Sequence, residues 1–220
     1  MRAFEIRPRV KSHQLPEVEA RREVVLNNAR VLVERHTIEP GQWLGASSAA
    51  RLLVFITDGV VSTQAGRTTL WKAGRVWWQS AAGDFGETLA SGSANSGVST
   101  IDLVSVTLRP VASATRAYEY LRYPNIPGED LFENDRIIVQ RFVVRPGQWE
   151  GVHAHCPNML YIHVKGGRWA ARSHSDPEPI HADPAPDGSV GWMPTIGIEE
   201  GHESGNVGHE PIDLIWVTLK

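Results

Sequence analysis

The stretch "PGQWEGVHAHCPNMLYIHVKGG", Pro146 to Gly167, places His153 and His155 one residue apart, Met159 four residues after the second, and His163 beyond it. In an extended chain alternate side chains face the same way, so the two histidines project together. Met159, Tyr161 and His163 continue that parity if the intervening loop keeps register. Two imidazoles so placed are half of a site for a divalent ion. The tetrapeptide that opens the stretch, Pro-Gly-Gln-Trp, also occurs at Pro40 to Trp43, with no histidine after it.

The repetition extends in both directions. Residues 30–45, "RVLVERHTIEPGQWLG", lie without a gap on residues 136–151, "RIIVQRFVVRPGQWEG". Further on, "NSGVSTIDLVSVTL" from Asn95 lies on "NVGHEPIDLIWVTL" from Asn206. Two matched blocks separated by comparable lengths indicate a duplicated domain. The differences in length fall in Gly, Pro and Asp-rich segments, where turns between fixed strands tolerate insertion. The resulting division is an N-terminal extension, 1–29, a first unit, 30–120, and a second unit, 121–220. Between the copies "SATRAYEYLRY" predicts a short linking helix, and "LPEVEARREVVLNN", with Pro16 near its first turn, predicts another.

The remaining apolar runs are short and rich in Val, Ile and Trp, such as "RLLVFI", "IDLVSVTL" and "RIIVQRFVV", and they are bounded by Gly, Pro, Asp or Ser. Runs of that length fit strands, so the fold class is all-β. A net charge of −3 with no long basic stripe argues against nucleic acid as a partner. No run approaches the roughly 20 apolar residues of a membrane span, and the opening residues do not resemble a secretory signal. Cys156 is the single cysteine, so no internal disulfide can form. These features predict a cytoplasmic protein, monomer or homodimer, whose partner is a small-molecule substrate.

The second copy resembles the cupins, whose first motif is G-x5-H-x-H-x3,4-E-x6-G and whose second is G-x5-P-x-G-x2-H-x3-N. Gly147, His153, His155 and Gly166 fall at the first spacing, with Met159 in the place of the glutamate. Gly188, Pro194, His202 and Asn206 follow the second, with three extra residues between Pro194 and His202. The resemblance covers both halves. It implies two tandem antiparallel β-barrels of the double-stranded β-helix, or jelly-roll, type, with one divalent ion held by His153, His155 and His202. Fe(II) is favoured, with Zn, Mn or Ni as alternatives.

Met159 changes what such a centre can do. A thioether is soft and neutral, a poor ligand for Fe(II) or Mn(II), and is expected to pack beside the site. A three-histidine centre keeps its full dipositive charge and favours a small anionic, chelating substrate. The leading expectation is a dioxygenase of that kind. The alternatives are a non-redox isomerase or lyase using Zn, Mn or Ni, and a non-catalytic binding or sensor protein. Glu150, Glu199, Glu200 and Glu203 could supply a replacement carboxylate, but read as surface charge.

Met159, Tyr161, Gln140 and Trp192 are expected to line the substrate pocket, although Trp192, like Trp78, also reads as a core aromatic. His163, deeper in the barrel, either orients substrate or carries a proton, or is a hydrogen-bonded core histidine. Cys156 should face away from the metal, and His174, His181 and His209 should be solvated. In the first copy the ligand places hold Ser47, Ala49, Leu53 and Ser91, none a strong ligand, so that unit is expected to be metal-free.

Overall fold

In the computed structural model, residues 19–45, 47–63, 67–79, 93–110, 118–176 and 178–220 are described. Among the described residues, nine strands precede residue 110: β1 (Arg21–Asn27), β2 (Val31–Ile38), β3 (Trp43–Leu44), β4 (Arg51–Phe55), β5 (Gly59–Thr63), β6 (Thr68–Trp71), β7 (Val76–Gln79), β8 (Ser93–Asn95) and β9 (Ile101–Leu108). They form a large sheet, β1-β2-β9-β4-β7, and a small one, β3-β8-β5-β6. Eight more follow: β10 (Glu129–Glu133), β11 (Ile137–Val144), β12 (Met159–Lys165), β13 (Trp169–Arg172), β14 (Ile180–His181), β15 (Val190–Met193), β16 (Glu203–Asn206) and β17 (Ile212–Leu219). Their sheets are β10-β11-β17-β12-β15 and β14-β13-β16. The large sheet therefore recurs in the same strand order.

Alternation along the strands makes three cores. On β2, β4 and β9, Val31, Val33, Leu52, Val54, Val104 and Val106 face one way. On β11, β12 and β17, Ile137, Val139, Leu160, Ile162, Ile215 and Val217 meet them, so the two large sheets pack face to face. The opposite faces bury Leu53, Phe55, Ile101 and Leu103 against Val61 and Trp71 in the first half. In the second half they bury Phe142, Val144, Met159, Leu214 and Trp216 with Leu121, Tyr123 and Ile126. Burying a Val, Ile, Leu or Phe side chain stabilises by roughly 1.5–3 kcal/mol, so each two-sided strand is anchored from both directions.

The repeated tetrapeptide builds the same turn twice. Gly41 and Gly147 sit at φ +82° and +78°, where a side chain would be strained. Their N–H groups donate to Asn95 O and Asn206 O, each at 2.8 Å. Asn95 Nδ2 donates to Ile38 O at 2.8 Å and Ser99 O at 2.7 Å, and Asn206 Nδ2 to Val144 O at 2.9 Å and Glu210 O at 2.8 Å. The motif asparagine is thus a clamp between strand ends. Arg35 pairs with Asp102, and Arg141 with Asp213, at matching places.

Three expectations are corrected. The helix expected over residues 15–28 is, from Arg21 on, strand β1, paired antiparallel with β2 through a bulge between Val24 and Leu26. Adjacent β-branched Val24 and Val25 disfavour helix, and the β2 edge supplies hydrogen bonds; the earlier part of that segment lies outside the described residues. The linking helix is absent from residues 118–123, while 111–117 lie outside the described residues. There the Gln140 side chain accepts from Leu121 N at 2.8 Å, an acceptor outside the segment, and Leu121 and Tyr123 plug the core. Among the described residues the only helical turn is a 3-10 turn at Ile198–Glu200. Nor do the sheets close into barrels: each pair is open, with the two-residue strands β3 and β14 at the ends of their small sheets. No described helix is long and apolar enough to cross a membrane.

Candidate metal centre

His153 and His155 lie in the irregular segment between β11 and β12, not within a strand. Their alternation survives because the segment is tied down locally. His153 N donates to His202 O at 3.1 Å, and His155 exchanges two backbone hydrogen bonds with Ile196, at 3.0 and 3.1 Å. His202 stands one residue before β16, so the extra residues after Pro194 are spent in the loop that carries Ile196 and the 3-10 turn. The three imidazoles converge, with one nitrogen from each inside a group no more than 4.8 Å across.

All three rings are held neutral. Burial pushes His153 down to about 4 and His155 to about 3, the latter helped by the other two rings, and burial also lowers His202. His153 Nδ1 lies 2.8 Å from Gly151 O, which accepts its proton and leaves the Nε2 lone pair facing the centre. That Nε2 lies 2.9 Å from His155 Nε2. Donors bound to one ion at about 2.1 Å sit about 3.0 Å apart when adjacent, so the spacing fits a shared cation. His155 Nδ1 is buried without a hydrogen-bond partner among the described residues. Neutral imidazoles with converging lone pairs suit Zn, Fe, Ni or Cu more than a hard all-oxygen ion.

A cavity of about 190 Å³ opens beside the centre. Its apolar wall is Tyr123, Tyr161, Trp169, Met193, Leu214 and Trp216, and none of the described residues that line it is Lys or Arg. His163 lines it as well, but both ring nitrogens are engaged: the Trp169 indole N–H donates to Nε2 at 2.9 Å, and Nδ1 meets Ser189 Oγ at 2.9 Å. Burial lowers its pKa to about 4. A proton carrier there would first have to release one of those partners.

The other expected pocket residues distribute unevenly. Tyr161 lines the cavity, its ring centroid 5.4 Å from that of Trp216. Met159 is 1% exposed and belongs to the core under the site. Gln140 is buried, clamping Leu121 and accepting no place in the cavity wall; its amide also donates to Asp130 Oδ1 at 2.8 Å. Trp192 turns to the shared core between the large sheets, and its neighbour Met193 takes the wall position. Cys156 is half-buried, with its sulfur turned toward the Glu119 carbonyl. His174, His181 and His209 are exposed.

One of the four glutamates read as surface charge is not on the surface. Glu150 is 2% exposed, and its Oε2 lies 3.8 Å from His153 Nε2. Burial pushes its carboxyl up to about 8, against hydrogen bonds from the Tyr123 hydroxyl and the Ser204 backbone N–H. The Trp216 indole N–H donates to Tyr123 Oη at 2.8 Å, completing a chain from Trp216 through Tyr123 to Glu150. Glu199 and Glu200 are exposed, and Glu203 accepts from Arg172 Nε at 2.6 Å. The signal for Glu150 was in the repeat: it stands opposite Leu44, which is buried in the first half. Tyr123 had no comparable signal, because it lies outside the two matched blocks of sequence.

Neither a protein-family model nor a curated protein sequence matches the chain. Solved structures do match in fold. A cupin 2 conserved barrel domain protein from Leptotrichia buccalis is 12% identical, covering 93% of this chain and 91% of its own, with a TM-score of 0.53. A mutant of Bacillus subtilis oxalate decarboxylase is 13% identical, covering 94% and 75%, with a TM-score of 0.55. A protein from Pseudomonas aeruginosa described as glyoxylate-induced is 9% identical, covering 92% and 81%, with a TM-score of 0.61. The chain shares its fold with these proteins.

Proposed function

We propose that the chain is a metal-dependent enzyme made of two cupin units in tandem, residues 30–120 and 121–220, with one divalent ion in the second. The observation that carries this reading is the convergence of three neutral imidazoles, two with nitrogens 2.9 Å apart, beside an apolar cavity. His153, His155 and His202 would hold the ion. When bound, it supplies Lewis acidity and, as Fe(II), one-electron chemistry toward dioxygen. Bacillus subtilis oxalate decarboxylase has Mn(II) centres, which supports a divalent ion in this fold.

The cavity argues for the substrate class. With no Lys or Arg among the described residues of the wall, a second substrate charge would be left uncompensated in an aromatic pocket. A small monoanionic chelator with an apolar body, such as the enolate of a β-diketone, fits better than a compact dianion. Tyr161, Trp169 and Trp216 hold its body by ring contact and exclude water. His163, fixed by Trp169 and Ser189, presents a rigid imidazole edge to it. Met159 packs beneath the site. This combination supports an Fe(II) dioxygenase of small chelating anions.

A non-redox isomerase or lyase is the second reading, favoured by the fold shared with a decarboxylase. Metal analysis after mild purification, then oxygen uptake against a panel of diketones and chelating acids, separates them. Iron with substrate-dependent oxygen consumption is expected. Zinc, manganese or nickel without oxygen uptake transfers the assignment to the second reading, and a protein that retains and rebinds no ion overturns both.

A further inference from the structure

We propose that Glu150 is the fourth protein donor of the metal centre, a carboxylate supplied from three residues before the first histidine in place of the one that Met159 does not provide. The inference rests on the three-histidine reading and adds a ligand to it. Its ground is geometric. Two donors about 2.1 Å from one ion are separated by about 3.0 Å when adjacent and about 4.2 Å when opposite. Glu150 Oε2 stands 3.8 Å from His153 Nε2, inside that interval, and that same Nε2 faces His155. The carboxyl is 2% exposed and lines the cavity with His155 and His202.

A buried carboxylate needs partners, and those present leave it aimed at the centre. The Tyr123 hydroxyl and the Ser204 N–H hold it, while Trp216 donates to Tyr123 from behind. Among the described residues no Lys or Arg pairs with it, so its ionised form has no side-chain cation to hold it. A divalent ion between Glu150 and the histidines supplies the compensating charge. Met159, by contrast, is packed into the core and is absent from the cavity wall.

The consequence is a centre of three imidazoles and one carboxylate, with net charge lowered by one and better suited to Fe(II) or Mn(II) than a three-histidine set. The test titrates the metal-free full-length protein with Mn(II) and Co(II), following affinity by calorimetry and Co(II) coordination by visible absorption. Glu150→Gln keeps the shape and should weaken Mn(II) by about 10- to 100-fold and change the Co(II) spectrum. Glu150→Leu, the residue of the first copy, keeps an apolar interior and should do the same, with circular dichroism checking the fold. Tyr123→Phe removes a hydrogen bond to the carboxylate and the acceptor of the Trp216 indole N–H but no donor to the ion, and should leave the Co(II) spectrum unchanged. Wild-type Mn(II) affinity with an unaltered spectrum in both Glu150 variants would overturn the proposal and leave the three-histidine centre standing. Failure of the wild-type protein to bind either ion would overturn the underlying reading as well.

Discussion

The interiors of the two halves are built on the same strands and filled with opposite chemistry. Pairing with β9 and β17 sets the correspondence: Arg51 lies opposite Thr107 and Met159 opposite Thr218, so Arg51 takes the place of Met159. By the same register Leu53 matches Tyr161, Phe55 matches His163, Ser105 matches Trp216, and His36 matches Phe142. The expected match of Leu53 with Met159 is two residues out, because the segment from Gly45 to β4 is shorter than that from Gly151 to β12. Where the second half gathers imidazoles, a carboxyl and a cavity, the first gathers a guanidinium. Arg51 Nε donates to Gln79 Oε1 at 2.7 Å and Nη2 to Gly45 O at 2.9 Å, while His36 Nε2 lies 2.8 Å from Ser105 Oγ. One scaffold therefore satisfies a polar interior internally on one side and leaves donors converging on the other.

The sharpest way to break the comparison is to count metal. His155→Ala should strip the ion with the fold intact, whereas Ser47→Ala, whose hydroxyl only closes a local turn onto Ala49 O, should leave metal content unchanged. Equal loss in both variants, measured by elemental analysis, would remove the distinction between the halves. Arg51→Met, which installs the second half's residue, should destabilise by about 3 kcal/mol, because the buried Gln79 amide oxygen and the part-buried Gly45 carbonyl lose their donors at about 1–3 kcal/mol each. Adding Gln79→Met, matching Met193, should restore part of that loss in a denaturation cycle; strict additivity would contradict the pairing.

Comparable in size are the shared clamps. Asn95→Ala and Asn206→Ala should each cost about 3 kcal/mol, and near-equal values would show one structural role in two places. A much larger effect of Asn206 on bound metal than on stability would assign it to the centre instead. The smallest effect is titration of His36, held down to about 4 by burial and then by Arg51 and Arg22. Its unfolded form binds a proton below about 6.5, so its contribution is complete above that pH and lost as pH falls toward 4. The loss should reach about 2 kcal/mol by pH 5. In metal-free protein His36→Phe should show a shallower acid slope than wild type, on top of a pH-independent offset from the unpaired Ser105. Parallel curves would mean that His36 does not titrate with folding.

The all-β class, the repeated turn and the grouping of His153, His155 and His202 were legible because each is written in spacing: alternation, an exact tetrapeptide, and a motif with fixed gaps. What was not legible depends on direction rather than spacing. Trp192 and Met193 differ by one residue and face different cores, and no local feature says which is which. Gln140 sits on an inward face, yet its amide is consumed by a backbone segment from outside the repeat. Glu150 was readable only by comparison with Leu44, because a glutamate beside a turn resembles any solvated charge. Residues 15–28 showed helix chemistry at Pro16 and the acidic residues after it, but sheet-edge pairing decided the later part.

The shared core between the large sheets also places a boundary on change. Val33, Leu52, Val54, Val104 and Val106 of the first half touch the second half, while Glu34, Arg51 and Ser105 alternate with them on the same strands and face inward. A strand can thus lose every ligand on one side while the other side remains bound to its partner sheet. For this chain, divergence is one-sided: the first half can be rewritten on its inner face alone, and cannot be removed without exposing the sheet that carries β11, β12 and β17.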